Sequence, residues 1–179
     1  MVTIVFETHS TTTHNEAGVA SGMNDPDLSD LGRQQAKQLG GRYRGRNFDV
    51  IFCSDLKRSR QTAEMAFGHK NPKIVIDHRL RECDYGNLNG AEKAVVDKAK
   101  IKYIDKPFPK GQSYAQTTQL MGQFLNELLH EYRDAEVLII GSRATQYALE
   151  NLINKVPLAE AVGAPWHWQP GWTYKLEKL

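Results

Sequence analysis

Four short apolar runs constrain this chain more than anything else in it. They are VTIVF at residues 2–6, DVIFCS at 49–54, KIVID at 73–77 and EVLIIGS at 136–142. Each is rich in β-branched residues, too short for a helix core, and apolar on both faces, as a strand buried inside a sheet must be. Helix-patterned segments separate them. Ser29 offers an N-cap for a helix reaching about residue 43, with Leu31, Gln35, Leu39 and Tyr43 on one side. Residues 56–67 read as a second helix with Ala63, Ala66 and Phe67 apolar, and residues 91–104 as a basic, weakly amphipathic one. Ser113 and Gln116 form a capping box. That box opens the clearest helix of the chain, with Leu120, Met121, Phe124, Leu125, Leu128, Leu129 and Tyr132 at three- and four-residue steps. A further helix is predicted over 144–154, and WTYKL at 172–176 reads as an edge strand. Strands that alternate with helices form a mostly parallel sheet with helices on both faces, a three-layer α/β sandwich. The loops NDPD and KPFPKG are too short to divide domains, so residues 1–179 are expected to form a single domain.

Composition removes several functions from consideration. The 23 Lys and Arg residues nearly balance 21 Asp and Glu, for a net charge of +2, so bulk charge gives no reason to expect a nucleic-acid partner. No apolar run approaches the ~20 residues of a membrane span. The first residues lack the basic-then-apolar pattern of a secretory signal. Cys53 and Cys83 match neither a disulfide framework nor a metal-ligand spacing, and read as reduced, partly buried thiols. The expectation is a cytoplasmic protein, with no membrane partner and with its oligomeric state open.

In open parallel sheets, ligands bind beyond the carboxyl ends of the strands. His9 stands just past the first run, Ser54 and Arg58 past the second, Glu82 past the third, and Ser142 with Arg143 past the fourth. One rim thus gathers an imidazole, two guanidinium groups, a carboxyl and several hydroxyls. Guanidinium groups donate paired hydrogen bonds to phosphate oxygens. A neutral imidazole can attack phosphorus. A protonated carboxyl can give its proton to a departing alkoxide. Phosphoryl transfer asks mainly for positioning and charge stabilisation, so this small set suffices for it.

The order of the motifs resembles that of the histidine phosphatase superfamily, which includes the cofactor-dependent phosphoglycerate mutases and many small phosphomonoesterases. That family opens with a strand followed by Arg-His-Gly-x-Thr-x-x-Asn. This chain has Thr8-His9-Ser10-Thr11-Thr12-Thr13-His14-Asn15. DLSDLGRQQA at 27–36, CSDLKRSRQTAE at 53–64 and LRECDYGNLNG at 80–90 are similar to further signatures of the family, in the right order. The resemblance implies a phosphoglycerate mutase-like fold. It implies that His9 is the nucleophile, Glu82 the proton donor, and Arg58, Asn15 and Thr12 phosphate-binding groups, with Thr8 and Ser10 at the same pocket. It implies a small phosphorylated substrate and no metal or organic cofactor.

Two departures stand out. Thr8 occupies the place of the family's arginine, and Ser142 that of a second histidine beside the transferring phosphoryl group. The expectation is that Arg143 turns inward to replace the missing guanidinium, while Ser142, with no charge, leaves turnover weakened. A phosphatase is expected rather than a mutase, because the chain is short for a mutase of this kind and lacks a long insertion after the third strand. The alternatives are a non-catalytic phospholigand-binding protein on the same fold, or the mutase itself. His14 reads as a solvated turn residue, Arg60 as a surface charge, and His69, His78 and His130 as ordinary histidines; no metal site follows. The aromatic stretch PWHWQPGWTY at 165–174 is expected to cover a sheet edge with Trp172 inward, the alternative being that Trp166, His167 or Trp168 borders the substrate mouth. KPFPKGQS at 106–113 is the other candidate for that border.

Overall fold

The computed structural model of the protein describes residues 1–68 and 73–179. His69 therefore lies outside the described residues. The predicted strands form one sheet. β1 (Val2–Thr8), β2 (Val50–Cys53), β3 (Ile74–Ile76), β4 (Glu136–Gly141) and β5 (Trp172–Leu176) stand in the order β3-β2-β4-β1-β5. The first four run parallel, and β5 closes the edge antiparallel to β1.

The inner strands β1, β2 and β4 are buried on both faces, as their continuous apolar pattern requires, while the edge strand β3 leaves Ile76 exposed. Ile4, Phe6, Phe52, Val137 and Ile139 face one side, where they pack with Phe124, Leu125, Leu128 and Leu149. Those partners come from α5 (Tyr114–Glu131) and α6 (Arg143–Leu152). The alternate residues Val5, Ile51, Cys53, Leu138 and Ile140 face the other side. There they meet Leu39 of α2 (Asp30–Arg42) and Ala63, Ala66 and Phe67 of α3 (Lys57–Phe67). The period-two alternation thus assigns each strand residue to one of two helical layers.

A third cluster lies beyond the sheet's carboxyl end. Cys83, Tyr85, Phe108, Tyr114, Tyr147 and Val162 pack there with Val96 of α4 (Lys93–Ala99). The helix expected over 91–104 is shorter than its pattern: α4 ends at Ala99 and passes into a 3-10 turn, Lys100–Tyr103. The basic residues that weakened its amphipathic stripe leave only Val96 buried in α4. Two elements had no clear sequence signal, the one-turn α1 (Thr13–Glu16) and the short α7 (Leu158–Gly163). Both are shorter than the two turns that a periodic pattern needs to become visible. Among the described residues, no helix is long and apolar enough to cross a membrane.

Candidate active site

The register of the two central strands builds the site. Thr8 pairs with Gly141, so β1 and β4 end level with each other, and the His9 N–H donates to the Gly141 carbonyl at 2.8 Å. His9 and Ser142 therefore leave adjacent strands at the same height. The loop after β1 is tied down on both sides. The Ser10 N–H donates to Thr62 Oγ1 (3.0 Å) on α3, and that hydroxyl donates to the Arg58 carbonyl (2.7 Å). The Thr11 N–H donates to Gln35 Oε1 (3.0 Å) on α2. Gly32 lets α2 press onto this loop, since a Cβ there would lie 1.9 Å from the Thr11 carbonyl oxygen.

One hydrogen bond fixes the state of the imidazole. His9 Nδ1 lies 2.8 Å from the Ser10 carbonyl oxygen. A carbonyl only accepts, so Nδ1 carries the proton and Nε2 keeps its lone pair. Burial lowers the His9 pKa from 6.5 to about 3, with the Arg58 and Arg143 charges acting in the same direction and the Ser10 carbonyl against them. The ring is neutral at pH 7.

Arg58 is 1% exposed, and among the described residues no carboxylate stands within ion-pairing distance of it, although the Glu82 and Asp25 charges reach it. Its guanidinium instead donates to the carbonyls of Asn24 (2.8 Å) and Gly22 (2.7 Å). Gly22 adopts φ +52°, and a Cβ on it would strike Asn89 Oδ1 at 1.9 Å. Glycine is thus required at the turn that holds Arg58, a point no motif disclosed. Two of five guanidinium N–H groups are used, and the planar fork leaves the rest for a ligand.

Arg143 is the first residue of α6, with its side chain 20% exposed. Its NH1 donates to Asp97 (3.1 Å), which also takes a hydrogen bond from Lys93 Nζ (2.7 Å). Two cations share one carboxylate, so a positive charge remains on this wall. Glu82 is 8% exposed and accepts from the Cys83 N–H at 2.8 Å. It pairs with neither neighbouring arginine: Arg79 binds Asp77 and Glu127, and Arg81 binds Asp55. Ser142 is 4% exposed and its N–H donates to Thr145 Oγ1 (3.2 Å), which donates in turn to the Leu80 carbonyl (3.2 Å).

Thr8, His9, Ser10, Asn15, Arg58, Glu82, Ser142 and Arg143 all border one cavity of about 580 Å³. Thr12 does not, and its expected place among the phosphate ligands is corrected. It is fully buried and caps α1: its hydroxyl accepts from the Asn15 N–H (3.1 Å) and donates to Asn15 Oδ1 (2.9 Å). The Thr12 N–H takes the same Oδ1 at 3.0 Å, which commits that oxygen and leaves Asn15 the Nδ2 amide to offer a ligand. Ser54 is likewise buried and away from the cavity. His14 Nδ1 meets the Ser21 hydroxyl at 3.3 Å. Arg60 pairs with Glu64 on the surface.

Trp166 and Trp168 border the cavity and His167 does not, while Trp172 packs on Phe6 with ring centroids 5.6 Å apart. The 106–113 stretch is not part of the border; it buries Phe108 against Tyr85 and Tyr103. Sequence reasoning missed Glu7, Gln35, Gln38, Arg42, Tyr85 and Lys93, all of which line the cavity. Tyr85 and Lys93 come from the lobe beyond the sheet, whose placement no local pattern encodes. Among the described residues, no group of three His, Cys, Asp or Glu side chains could hold a metal ion.

The sequence pattern of the histidine phosphatase superfamily (branch 1) matches residues 4–169. The chain belongs to that superfamily. Its relatives include phosphoserine phosphatase 1 of Hydrogenobacter thermophilus, 28% identical over an alignment of 160 residues that covers 83% of this chain and 74% of that one. A 2,3-bisphosphoglycerate-dependent phosphoglycerate mutase of Methylocella silvestris is 35% identical over 140 residues, covering 70% of this chain and 68% of the relative. Among solved structures, a mycobacterial glucosyl-3-phosphoglycerate phosphatase in complex with VO3 superposes with a TM-score of 0.81 at 24% identity, over 91% of this chain and 87% of that one. Bacillus stearothermophilus YhfR gives 0.82 at 23% identity, over 95% and 88%. These superpositions show the phosphoglycerate mutase-like fold. Phosphatases and mutases alike share this histidine phosphatase scaffold.

Proposed function

We propose that the protein is a phosphomonoester hydrolase that works through a phosphohistidine on His9. The observation that carries this reading is the Nδ1 bond to the Ser10 carbonyl, which leaves Nε2 bare in a cavity bordered by Arg58 and Arg143. Nε2 attacks phosphorus, and the bond from phosphorus to the ester oxygen breaks. Glu82 gives its proton to the departing alkoxide. Arg58, Arg143, the Asn15 amide and the hydroxyls of Thr8 and Ser10 hold the non-bridging oxygens. Water then attacks the phosphohistidine, the Glu82 carboxylate takes its proton, and Nε2 is released with its lone pair.

Arg143 stands in for the guanidinium that Thr8 lacks; its place on the cavity wall and its charge felt at His9 support that role. Ser142 supplies a hydrogen bond without a charge, so the enzyme is slow beside one with histidine there. Thr8 and Ser142 favour a second reading, a phospholigand-binding protein without turnover. Labelling with a 32P-phosphomonoester and quenching in alkali decides between them. The expected result is label on the protein that disappears in His9→Ala, with release of inorganic phosphate from an aryl phosphate. Phosphate binding without label or turnover, before and after Ser142→His, overturns the hydrolase.

A further inference from the structure

The phosphoryl chemistry uses only part of the cavity's lining. The same space is bordered by Glu7, Gln35, Gln38, Arg42 and Trp168, from the end of β1, one side of α2 and the C-terminal aromatic segment. None of these takes part in the steps above. Thr8 lies in the chain between Glu7 and His9 and also borders the cavity, so the short side chain leaves to a ligand space that an arginine would fill.

This compartment differs in charge from the residues assigned to the phosphoryl group. Glu7 is 1% exposed, and its Oε1 accepts from Arg42 NH2 (3.0 Å) and from the Tyr43 hydroxyl (2.7 Å). Arg42 is thus held at the wall by a carboxylate that neutralises it. The residues assigned to the phosphoryl group, by contrast, include Arg58, which has no ion-pair partner among the described residues although the Glu82 and Asp25 charges reach it, and two cations that share Asp97. The Arg42 guanidinium carbon lies 5.8 Å from the centre of the Trp168 ring, which is 56% exposed. Gln35 has given its Oε1 to the Thr11 N–H, which leaves its amide N–H groups. Gln38 is exposed and offers both donor and acceptor.

From this we infer that the compartment binds the leaving-group portion of the substrate, and that this portion is an uncharged, hydroxyl-rich ring, a sugar or cyclic polyol. The word "leaving" rests on the hydrolase reading; the binding does not. A second anion is disfavoured, because Arg42 already carries Glu7. Hydroxyls both donate and accept, so vicinal pairs match planar carboxamide and guanidinium groups that offer two polar atoms side by side. The C–H face of a saturated ring packs on an exposed indole, which combines a broad apolar face with a polar edge. A purely aromatic group would leave the two glutamines and Arg42 largely unused.

Phosphate-free probes separate this inference from the chemistry. Methyl β-glucopyranoside, myo-inositol and adenosine are titrated against the full chain by saturation-transfer NMR and by tryptophan fluorescence. The expected result is saturable binding of the glucoside or inositol, weakened about fivefold or more by Trp168→Ala and by Gln38→Ala, both exposed positions whose loss leaves the core intact. Preference for adenosine over both polyols overturns the assigned ligand class. Absence of binding by all three, or binding indifferent to both substitutions, overturns the compartment. Polyol binding that responds to the substitutions in a protein that hydrolyses neither an aryl nor a glycosyl phosphate would sink the hydrolase reading and leave the compartment standing.

Discussion

Ser142→His should raise turnover by roughly 100- to 1000-fold, the range associated with one charge-stabilising donor aimed at a developing negative charge. The geometry makes the substitution a fair test. Thr8 pairs with Gly141, so residues 9 and 142 leave neighbouring parallel strands, whose backbones run ~4.8 Å apart, at the same level. A side chain from residue 142 is therefore within reach of a phosphoryl group carried on His9 Nε2. Ser142 borders the cavity of about 580 Å³, which gives an imidazole somewhere to go. The gain corresponds to ~2.7–4 kcal/mol of transition-state stabilisation. Against it stands the loss of the Ser142 hydroxyl, which lies 3.3 Å from Thr145 Oγ1 at the start of α6, about 1 kcal/mol of stability, or ~2–4 °C in melting temperature for a chain of this size. That loss does not enter kcat while the protein stays folded. Arg58 and Arg143 disfavour an imidazolium beside them, so the gain should be larger at pH 6 than at pH 8. The assay is steady-state hydrolysis of an aryl phosphate, with circular dichroism as the check on folding. A folded variant whose kcat stays within about twofold of the parent at pH 6 would refute the placement of residue 142 beside the transferring group.

Arg143→Ala should weaken binding of inorganic phosphate by about 10- to 100-fold, as loss of a charged hydrogen bond predicts. Asp97 keeps Lys93 as partner, so the fold should survive, and calorimetry showing unchanged affinity would remove Arg143 from the site. Because the His9 pKa is lowered to about 3, the acid limb of kcat/KM should carry no step from His9 near pH 6.5. The same shift gives a sign for stability: below pH 6.5 the unfolded chain takes up a proton that folded His9 refuses, so stability falls from pH 6.5 toward about 3. His9→Gln should flatten that slope in urea titrations. Gly32→Ala forces a Cβ against the Thr11 carbonyl oxygen and should cost ~1–3 kcal/mol in chemical denaturation while lowering activity through the displaced loop.

The sheet was legible because its strands are apolar on both faces and its longest helix carries an unbroken stripe. Phe124, Leu125 and Leu128 all lie in the core where their spacing put them. His9, Arg58 and Glu82 were legible as a set, because residues just past parallel strand ends share one rim. Thr12 was misplaced because a motif records which residue types recur and not what each hydroxyl touches. Its hydroxyl is spent on Asn15, and only the structure separates a ligand from a residue that orients one. Gly22 and Lys93 were illegible for another reason. Their positions depend on how the lobe of residues 83–114 folds back over the sheet, a contact between segments far apart in the chain.

The two departures from the family pattern form one coherent change. A guanidinium is absent at position 8 and an imidazole at 142, and hydroxyls stand at both places. On the proposed reading, positive charge is supplied from outside the usual positions, by Arg143 on the first turn of α6 and Lys93 on α4, both of which border the cavity. A cation at the N-terminus of a helix opposes the helix dipole, and Asp97 offsets that by bridging both cations. Arg58 has no such ion pair among the described residues and donates to the carbonyls of Gly22 and Asn24. The cavity therefore holds one buried cation with unused donors and one shared pair with a net positive charge, on two walls around a neutral imidazole. An entering dianion satisfies both walls at once, while burial, the first cause of the lowered His9 pKa, keeps the ring neutral. Because burial does more than either arginine to hold His9 neutral, a change in where the positive charge originates leaves the state of the imidazole largely in place.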